Sequence, residues 1–455
     1  MQETLSRLRA FYLSGATRAP AARIAALKRL EIAIGRREED ILRALAEDLG
    51  KSPEEAYLTE ISFVKEELRH AMRHLRRWSF PRPVLPSIGQ FPGYGRVLRD
   101  PYGVVLILSP WNYPFQLSLT PLVAAVAAGN CALLRPSSHA PRTAEVIAAL
   151  VRESFPPEHV MVALCDTAEA NAWLGLPFDK IFFTGSPAVG REVMRAAAEN
   201  LTPVTLELGG KSPVIVAADA DVRLAARRIV FGKFLNAGQT CIAPDYVLVA
   251  EPIEKAFLAM LAREIEAQYS RDPLHSPDLA QIVSDRHVGR LMGLLDSGRI
   301  ACGGQVDRAN RRIAPTVLTD VAEDAPIMQS EIFGPILPVL PFATMEEAIA
   351  RVRARPAPLA LYLFTAEKAA ARRVMRDLAF GGGCVNDCIM HLTNLRMPFG
   401  GVGESGMGAY HGRAGFDCFT REKSVLTASV RVDVPIRYAP RKGKLKLFRG
   451  ASKQK

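Results

Sequence analysis

The sequence predicts an α/β fold built on parallel sheets with helices on both faces. Three observations carry this. From residue 103 onward, short β-rich runs alternate with helical stretches, first over 103–208 and again from Ser212. The residues best suited to chemistry fall at strand ends or glycine turns, where open α/β sheets present ligand groups. The length, 455 residues, exceeds one ordinary core and sets two or three domains as the expectation.

The elements follow in order. Residues 20–78 read as helices, because Ile24, Leu27, Leu30 and Ile34, then Ile61, Val64, Leu68, Met72 and Leu75, recur at helical spacing. Pro20 is placed to open the first helix, and Gly35 or Gly50 to break it. Pro, Gly and aromatics dominate 81–95, which marks a linker or excursion. The first alternation gives strands at 103–108, 131–134, 160–164, 180–184 and 203–208, with helices around 117–128, 142–153, 167–174 and 188–199 between them. The second gives strands at 213–217, 245–249, 336–341 and 359–364, with helices at 220–236, 253–268, 284–296, 345–354 and 366–378. Glycines dominate from Asn394 to Gly415, and 424–430 reads as a last strand.

Composition narrows the function classes. About half the residues are hydrophobic and a quarter charged, which is ordinary globular usage. The longest apolar stretch, Leu117 to Leu134, is interrupted by Gly129 and Asn130, so no transmembrane segment is expected. Seven cysteines are scattered without a C-x-x-C pair, which fits reduced thiols in the cytoplasm. Cys384 and Cys388 have no partner pair and read as core residues, so no metal site is expected. The net charge of +11 resolves into a basic tail, with eight Lys or Arg and no acid from Arg437 to Lys455. That tail reads as solvated and flexible, open to anionic surfaces; no motif for specific nucleic-acid binding accompanies it.

The chemistry gathers around Asn236-Ala237-Gly238-Gln239-Thr240-Cys241. Taken alone, Cys241 is a buried thiol, a metal ligand or a nucleophile; no Cys or His lies within thirty residues to share a metal. Its context favours the nucleophile. Glu207-Leu208-Gly209-Gly210-Lys211 ends a β-rich run, and Trp111-Asn112-Tyr113 follows the apolar run Val104 to Leu108. Glu331-Ile332-Phe333-Gly334-Pro335 and Pro398-Phe399-Gly400-Gly401 come downstream.

These motifs, in this order, resemble the aldehyde dehydrogenase superfamily, and Gln239-Thr240-Cys241-Ile242-Ala243-Pro244-Asp245-Tyr246 is similar to its class 3 branch, which includes coniferyl-aldehyde-dehydrogenase-like bacterial members. The resemblance runs from about Leu5 to about Leu426. It implies a Rossmann-type cofactor domain (1–78 and 101–208) and an α/β catalytic domain (209–393). A small oligomerisation segment (79–100 and 394–431), a homodimer and a free basic tail (432–455) complete the expectation.

The resemblance also implies NAD or NADP as cofactor and a small-molecule aldehyde, medium-chain aliphatic or aromatic, as substrate. Cys241 would be the nucleophile, Asn112 an oxyanion donor and Glu207 the base that cleaves the thioester, with Lys211 in a supporting electrostatic role. On the cofactor, Gly185, Ser186 and Gly190 would line the phosphates, with Gly209 and Trp111 beside them. Glu331 would hold the nicotinamide ribose, and Phe333 would lie against that end. Where the family usually has Lys-Pro-Ser-Glu at the adenosine ribose, this chain has Arg135-Pro136-Ser137-Ser138. Loss of the acid removes repulsion of a 2′-phosphate and Arg supplies a planar fork for it, which shifts the expectation toward NADP or dual use.

Two other readings remain open on the residues alone. The same Cys and Glu would serve a thiol esterase or acyltransferase without redox, and the basic tail would serve a surface-binding protein with no catalysis. His411 is expected to be structural, Tyr113 a channel wall or packed aromatic, and Asn386 with Asp387 to shape a substrate channel.

Overall fold

The structure is a computed structural model and describes residues 1–87, 90–446 and 449. The last residues of the expected basic tail, 451–455, lie outside that set.

Two sheets carry the fold. The first runs, edge to edge, Gly406–Met407, Val204–Glu207, Lys180–Thr184, Val104–Leu108, Cys131–Arg135 and Val160–Val162. Its strands are parallel except Gly406–Met407, which pairs antiparallel with Glu207 and Leu206. Val104–Leu108 is apolar at every position and wholly buried, as a central strand covered on both faces must be. The helix after it, Gln116–Ala128, is buried at every residue and forms the centre of the core. It ends at Gly129, whose φ of 100° only glycine adopts readily, and a Cβ there would strike the Arg23 guanidinium. Arg23 donates to the carbonyl oxygens of Ala127, Thr17 and Arg18, placing a cation at the negative end of that helix.

The second sheet runs Arg299–Cys302, Thr316–Thr319, Ile336–Phe342, Tyr246–Ala250, Pro213–Val216, Ala360–Phe364 and Gly382–Val385. Only Arg299–Cys302 is antiparallel to its neighbour. The βα rhythm of the sequence is therefore present twice, with extra strands at the edges. Arg299–Cys302 and Thr316–Thr319 were not expected, because four-residue strands flanked by glycine and charge give little periodic signal.

Some boundaries move. Gly35 lies inside the helix Pro20–Arg36, and Gly50, at φ 62°, caps the next helix. The helix expected over 220–236 stops at Phe234, and the one over 284–296 stops at Met292. An N-terminal helix, Gln2–Leu13, precedes the predicted ones.

A third, small antiparallel sheet joins Arg82–Val84, Tyr94–Pro101 and Thr420–Thr427. The last strand begins four residues before the expected 424. Of the segment 394–431, only this final part lies in the small sheet: Phe399 bridges Tyr410, and Gly406–Met407 extends the first sheet. Phe80, Leu85, Phe91 and Leu426 are exposed on or beside the small sheet.

Candidate active site

Cys241 is presented by a strained turn. The helix Val222–Phe234 gives way to Asn236, Ala237 and Gly238, which all have positive φ (52°, 51° and 73°). Consecutive left-handed residues are costly for any side chain with a Cβ and persist only where the surroundings over-determine them. Here they do. The Asn236 N–H donates to the Glu55 carboxylate at 3.0 Å, and its side-chain amide donates to the Asn112 carbonyl at 2.7 Å. Gln239 donates to the carbonyls of Asn236 and Gln281 and accepts from the Val283 N–H. A Cβ on Gly238 would overlap the Gly334 carbonyl, so the turn is pressed against the Glu331–Gly334 loop.

Asn112 faces this turn. Its side-chain amide donates one hydrogen to the Gln239 carbonyl at 3.0 Å, which leaves the second hydrogen uncommitted by that bond. Tyr113 bonds Thr240 through its hydroxyl at 2.6 Å. Both loops rest on a buried ion pair that the sequence reading missed. Lys51 meets Glu60 at 2.5 Å with both side chains fully buried, and Glu60 accepts the N–H groups of Phe115 and Gln116. The Lys51 ammonium lies 4.0 Å from the centre of the Tyr113 ring. Glu55, pushed up to about 7 by burial, completes the group. Charged residues among helices read from sequence as solvent-facing; the N–H groups that Glu60 and Glu55 hold lie 55 to 181 positions away.

Glu207 ends its strand 2% exposed, and neither carboxylate oxygen has a hydrogen-bond partner. Burial pushes its carboxyl well above the ordinary range. Glu207 and Cys241 both line a cavity of about 330 Å³, together with Trp111, Asn112, Gly185, Ser186, Gly209, Glu331 and Phe333. Cys241 is half-buried. Burial, and then the charges of Glu331 and Glu207, push its thiol up.

The cavity walls fit the nicotinamide end of a dinucleotide. Its upper wall is the turn Thr184-Gly185-Ser186 at the start of the helix Pro187–Glu199, where Ser186 caps the Val189 N–H and free backbone N–H groups favour phosphate. Trp111 and Phe333 meet edge to face at 5.4 Å, and Trp111 meets His287 at 5.3 Å, giving flat apolar surface for a ring. Glu331 stands between, its acid pushed up to about 8 by burial and then by Asp245. Gly209 is required there because a Cβ would overlap the Glu331 carboxylate.

Gly190 does not line the cavity. It is buried in the first helical turn, where a Cβ would come within 2.8 Å of Leu208, so it sets the close approach of helix and strand. Arg135, Ser137 and Ser138 also lie off the cavity, at the far end of the strand Cys131–Arg135. Arg135 donates to the Cys165 carbonyl at 3.4 Å, and its buried Nε has no partner. Ser137 accepts from the His139 N–H, and Ser138 is exposed. Lys211 binds Asp245 and the carbonyls of Ile327 and Ser330, which anchors the Glu331 loop.

A second cavity of about 200 Å³ reaches Cys241 from the other side. Leu58, Phe63, Phe231, Leu235, Ile389 and Phe399 make its wall largely apolar, and Tyr113 and Tyr410 also line it. Asn386 and Asp387, expected to shape this channel, do not line it. Asn386 exchanges two hydrogen bonds with Thr365, and Asp387 accepts the Cys388 N–H, so they fold the strand end behind the wall. His411 is packed against Tyr410 and 3.7 Å from Glu67, outside the cavity walls.

The two sheets, the cysteine turn and the paired cavities define a class of thiol-bearing oxidoreductase. The chain belongs to the aldehyde dehydrogenase family: the model described as "Aldehyde dehydrogenase family" matches residues 9–425. It is accordingly an NAD(P)-dependent aldehyde dehydrogenase. It is 46% identical over 443 residues to 4,4'-diaponeurosporen-aldehyde dehydrogenase of Staphylococcus aureus, covering 97% of this chain and 96% of that one. It is 41% identical over 430 residues to the rat (Rattus norvegicus) "aldehyde dehydrogenase, dimeric NADP-preferring", covering 94% and 95%. The substrate-bound structure of Staphylococcus aureus AldH superposes with a TM-score of 0.97 at 45% identity, over 99% and 98% of the two chains.

Proposed function

We propose that the chain oxidises apolar aldehydes, medium-chain aliphatic or aromatic, to carboxylic acids with Cys241 as nucleophile. One observation carries this: Cys241 stands where a cavity lined by the acids Glu207 and Glu331 meets a second cavity with an almost wholly apolar wall, Leu117 and Cys241 belonging to both. An aldehyde with an apolar tail would lie in the second cavity with its carbonyl at the sulfur. The similarity to the Staphylococcus aureus 4,4'-diaponeurosporen-aldehyde dehydrogenase supports the assignment of an aldehyde as substrate.

The thiolate would add to the carbonyl carbon, and the resulting oxyanion would accept from the Asn112 amide and the Cys241 N–H. Trp111, Phe333 and Glu331 would hold the nicotinamide end of the cofactor, which when bound would supply a hydride acceptor beside Cys241, so that the sulfur is left carrying a thioester. Glu207 would then take a proton from the attacking water, since burial raises its pKa and makes the carboxylate a stronger proton acceptor. In Glu207→Gln, first-turnover nicotinamide reduction is expected to persist while steady-state turnover falls at least about a hundredfold, with the acyl adduct on Cys241 seen by mass spectrometry. Unchanged turnover would reassign the base.

The unused Nε of Arg135 and the absence of an acid at Ser138 support NADP use alongside NAD. Arg135→Ala is expected to lower the ratio of kcat/KM with NADP to that with NAD by about tenfold, and Ser138→Glu to lower it further. A wild type that ignores NADP, with a ratio neither change moves, would remove Arg135 from the ribose site.

We read the first sheet and the N-terminal helices as the cofactor-binding unit and the second sheet as the catalytic unit. The exposed apolar residues of the small sheet and the dimeric rat relative support a homodimer formed through that sheet. The scattered cysteines support a cytoplasmic location.

A further inference from the structure

Beyond Thr427, where the small sheet ends, the chain changes character. Asp433 is the last acid, and residues 434–455 carry eight Lys or Arg. Removing these eight from the formal net charge of +11 leaves +3 for the other 433 residues, so the excess charge sits in one short segment. Among the described residues, Arg437, Arg441, Lys442, Lys446 and Arg449 are exposed and Lys444 is half-buried. Arg437 alone of these meets an acid, Asp433. Among the described residues, the side-chain hydrogen bonds of this segment stay inside it: Arg441 donates to the Arg437 carbonyl and Lys444 to the Tyr438 carbonyl, both at 3.3 Å. None of these cations is used to hold the enzyme together.

Apolar residues are interleaved with the cations. Val430 is fully exposed, Val432 is 55% exposed, Tyr438 49% and Leu445 58%. The sequence continues the pattern through Lys444-Leu445-Lys446-Leu447-Phe448-Arg449. A merely solvating charged tail has no physical use for exposed leucine among its lysines. Cations with interleaved aliphatic and aromatic residues match the boundary of an anionic bilayer, where headgroups take the charge and the acyl region takes the apolar side chains. A nucleic acid would take the charge and leave Val430, Val432 and Leu445 in water.

We propose that residues 430–446 dock this enzyme onto an anionic lipid surface. The segment follows the small sheet directly and none of its residues lines either cavity, so docking leaves the chemistry at Cys241 untouched. Each cation near such a surface is worth about fivefold in binding, and the charge contribution is screened by salt.

The test is cosedimentation of the full chain with vesicles of phosphatidylcholine alone or with about a third phosphatidylglycerol, at low and high salt. Binding to the anionic vesicles is expected to exceed that to neutral ones by at least about tenfold and to weaken with salt. The triple variant Lys442→Glu, Lys444→Glu, Lys446→Glu is expected to lose it, while oxidising a water-miscible aldehyde at the wild-type kcat/KM, which shows that it is folded. Leu445→Ser is expected to remove the part of the binding that survives high salt. Equal binding to both vesicles, no binding to either, undiminished binding by the triple variant, or displacement from vesicles by duplex DNA at equal phosphate concentration would each overturn the proposal.

Discussion

Cys241→Ala is expected to lower kcat for aldehyde oxidation by at least about 10⁴-fold while leaving the fold and cofactor affinity close to wild type. The argument is one of position. Among the cysteines, only Cys241 lines both cavities; Cys131, Cys165, Cys302 and Cys418 line neither, and none of the remaining thiols reaches the cavity lined by Glu207 and Glu331. Without a sulfur at that point the carbonyl carbon gains no electron pair, and the bonds that shape the turn run through Asn236, Gln239 and Gly238, not through the thiol. Stopped-flow absorbance of reduced nicotinamide checks the first turnover, and titration of cofactor fluorescence quenching checks binding. Near wild-type turnover in a folded Cys241→Ala protein would sink the mechanism.

Glu60→Ala is expected to cost about 3–5 kcal/mol of stability, more than any surface change considered above. The carboxylate is fully buried, and its removal strands the Lys51 ammonium without its partner and leaves the N–H groups of Phe115 and Gln116 without theirs. The loss should also reach catalysis. Lys51 reaches the Asn112 carbonyl at 3.4 Å, and Asn236 bonds that same carbonyl, so loosening one loop loosens the oxyanion donor. Urea denaturation measures the first effect, and kcat at a temperature where the variant is fully folded measures the second. Replacing Lys51 and Glu60 together by Met and Gln should cost less than Glu60→Ala, since no unpaired charge is left inside. A double replacement as damaging as the single one would show that the pair acts through shape and not through charge.

The residues that announce themselves in the sequence are those whose neighbours along the chain already explain them. Glu207, Asn112 and Cys241 each follow an apolar strand or precede one, beside glycine or small residues, and strand ends at such turns are where a parallel sheet opens to ligand. The βαβ rhythm was legible for the same reason, since periodicity is local. The support of the site was not. Glu55 is 181 positions from the N–H that it holds, and Lys51 and Glu60 look like ordinary surface charges until the fold buries them. The left-handed Asn236 and Ala237 have no signature, because neither residue type demands positive φ. Gly190 shows a related ambiguity: a Cβ there would meet Leu208, and a phosphate contact and a tight helix crossing ask for the same residue. The two-residue strand Gly406–Met407 is too short to carry any pattern.

That short strand has a consequence for how the enzyme is made. It is the outer neighbour of Val204–Glu207, and the Leu208 N–H reaches the Ser405 carbonyl beside it at 3.1 Å. Until residue 407 has been synthesised, the strand bearing Glu207 is the open edge of its sheet, with unpaired N–H and C=O groups beside the acid. The small sheet waits longer still, since Tyr94–Pro101 finds its second partner only in Thr420–Thr427. A nascent chain that stops short of residue 407 therefore carries the strand bearing Glu207 with no finished site and an exposed edge. Termination before that point is expected to yield a sticky, inactive product, because the partner that covers the edge beside the acid is missing.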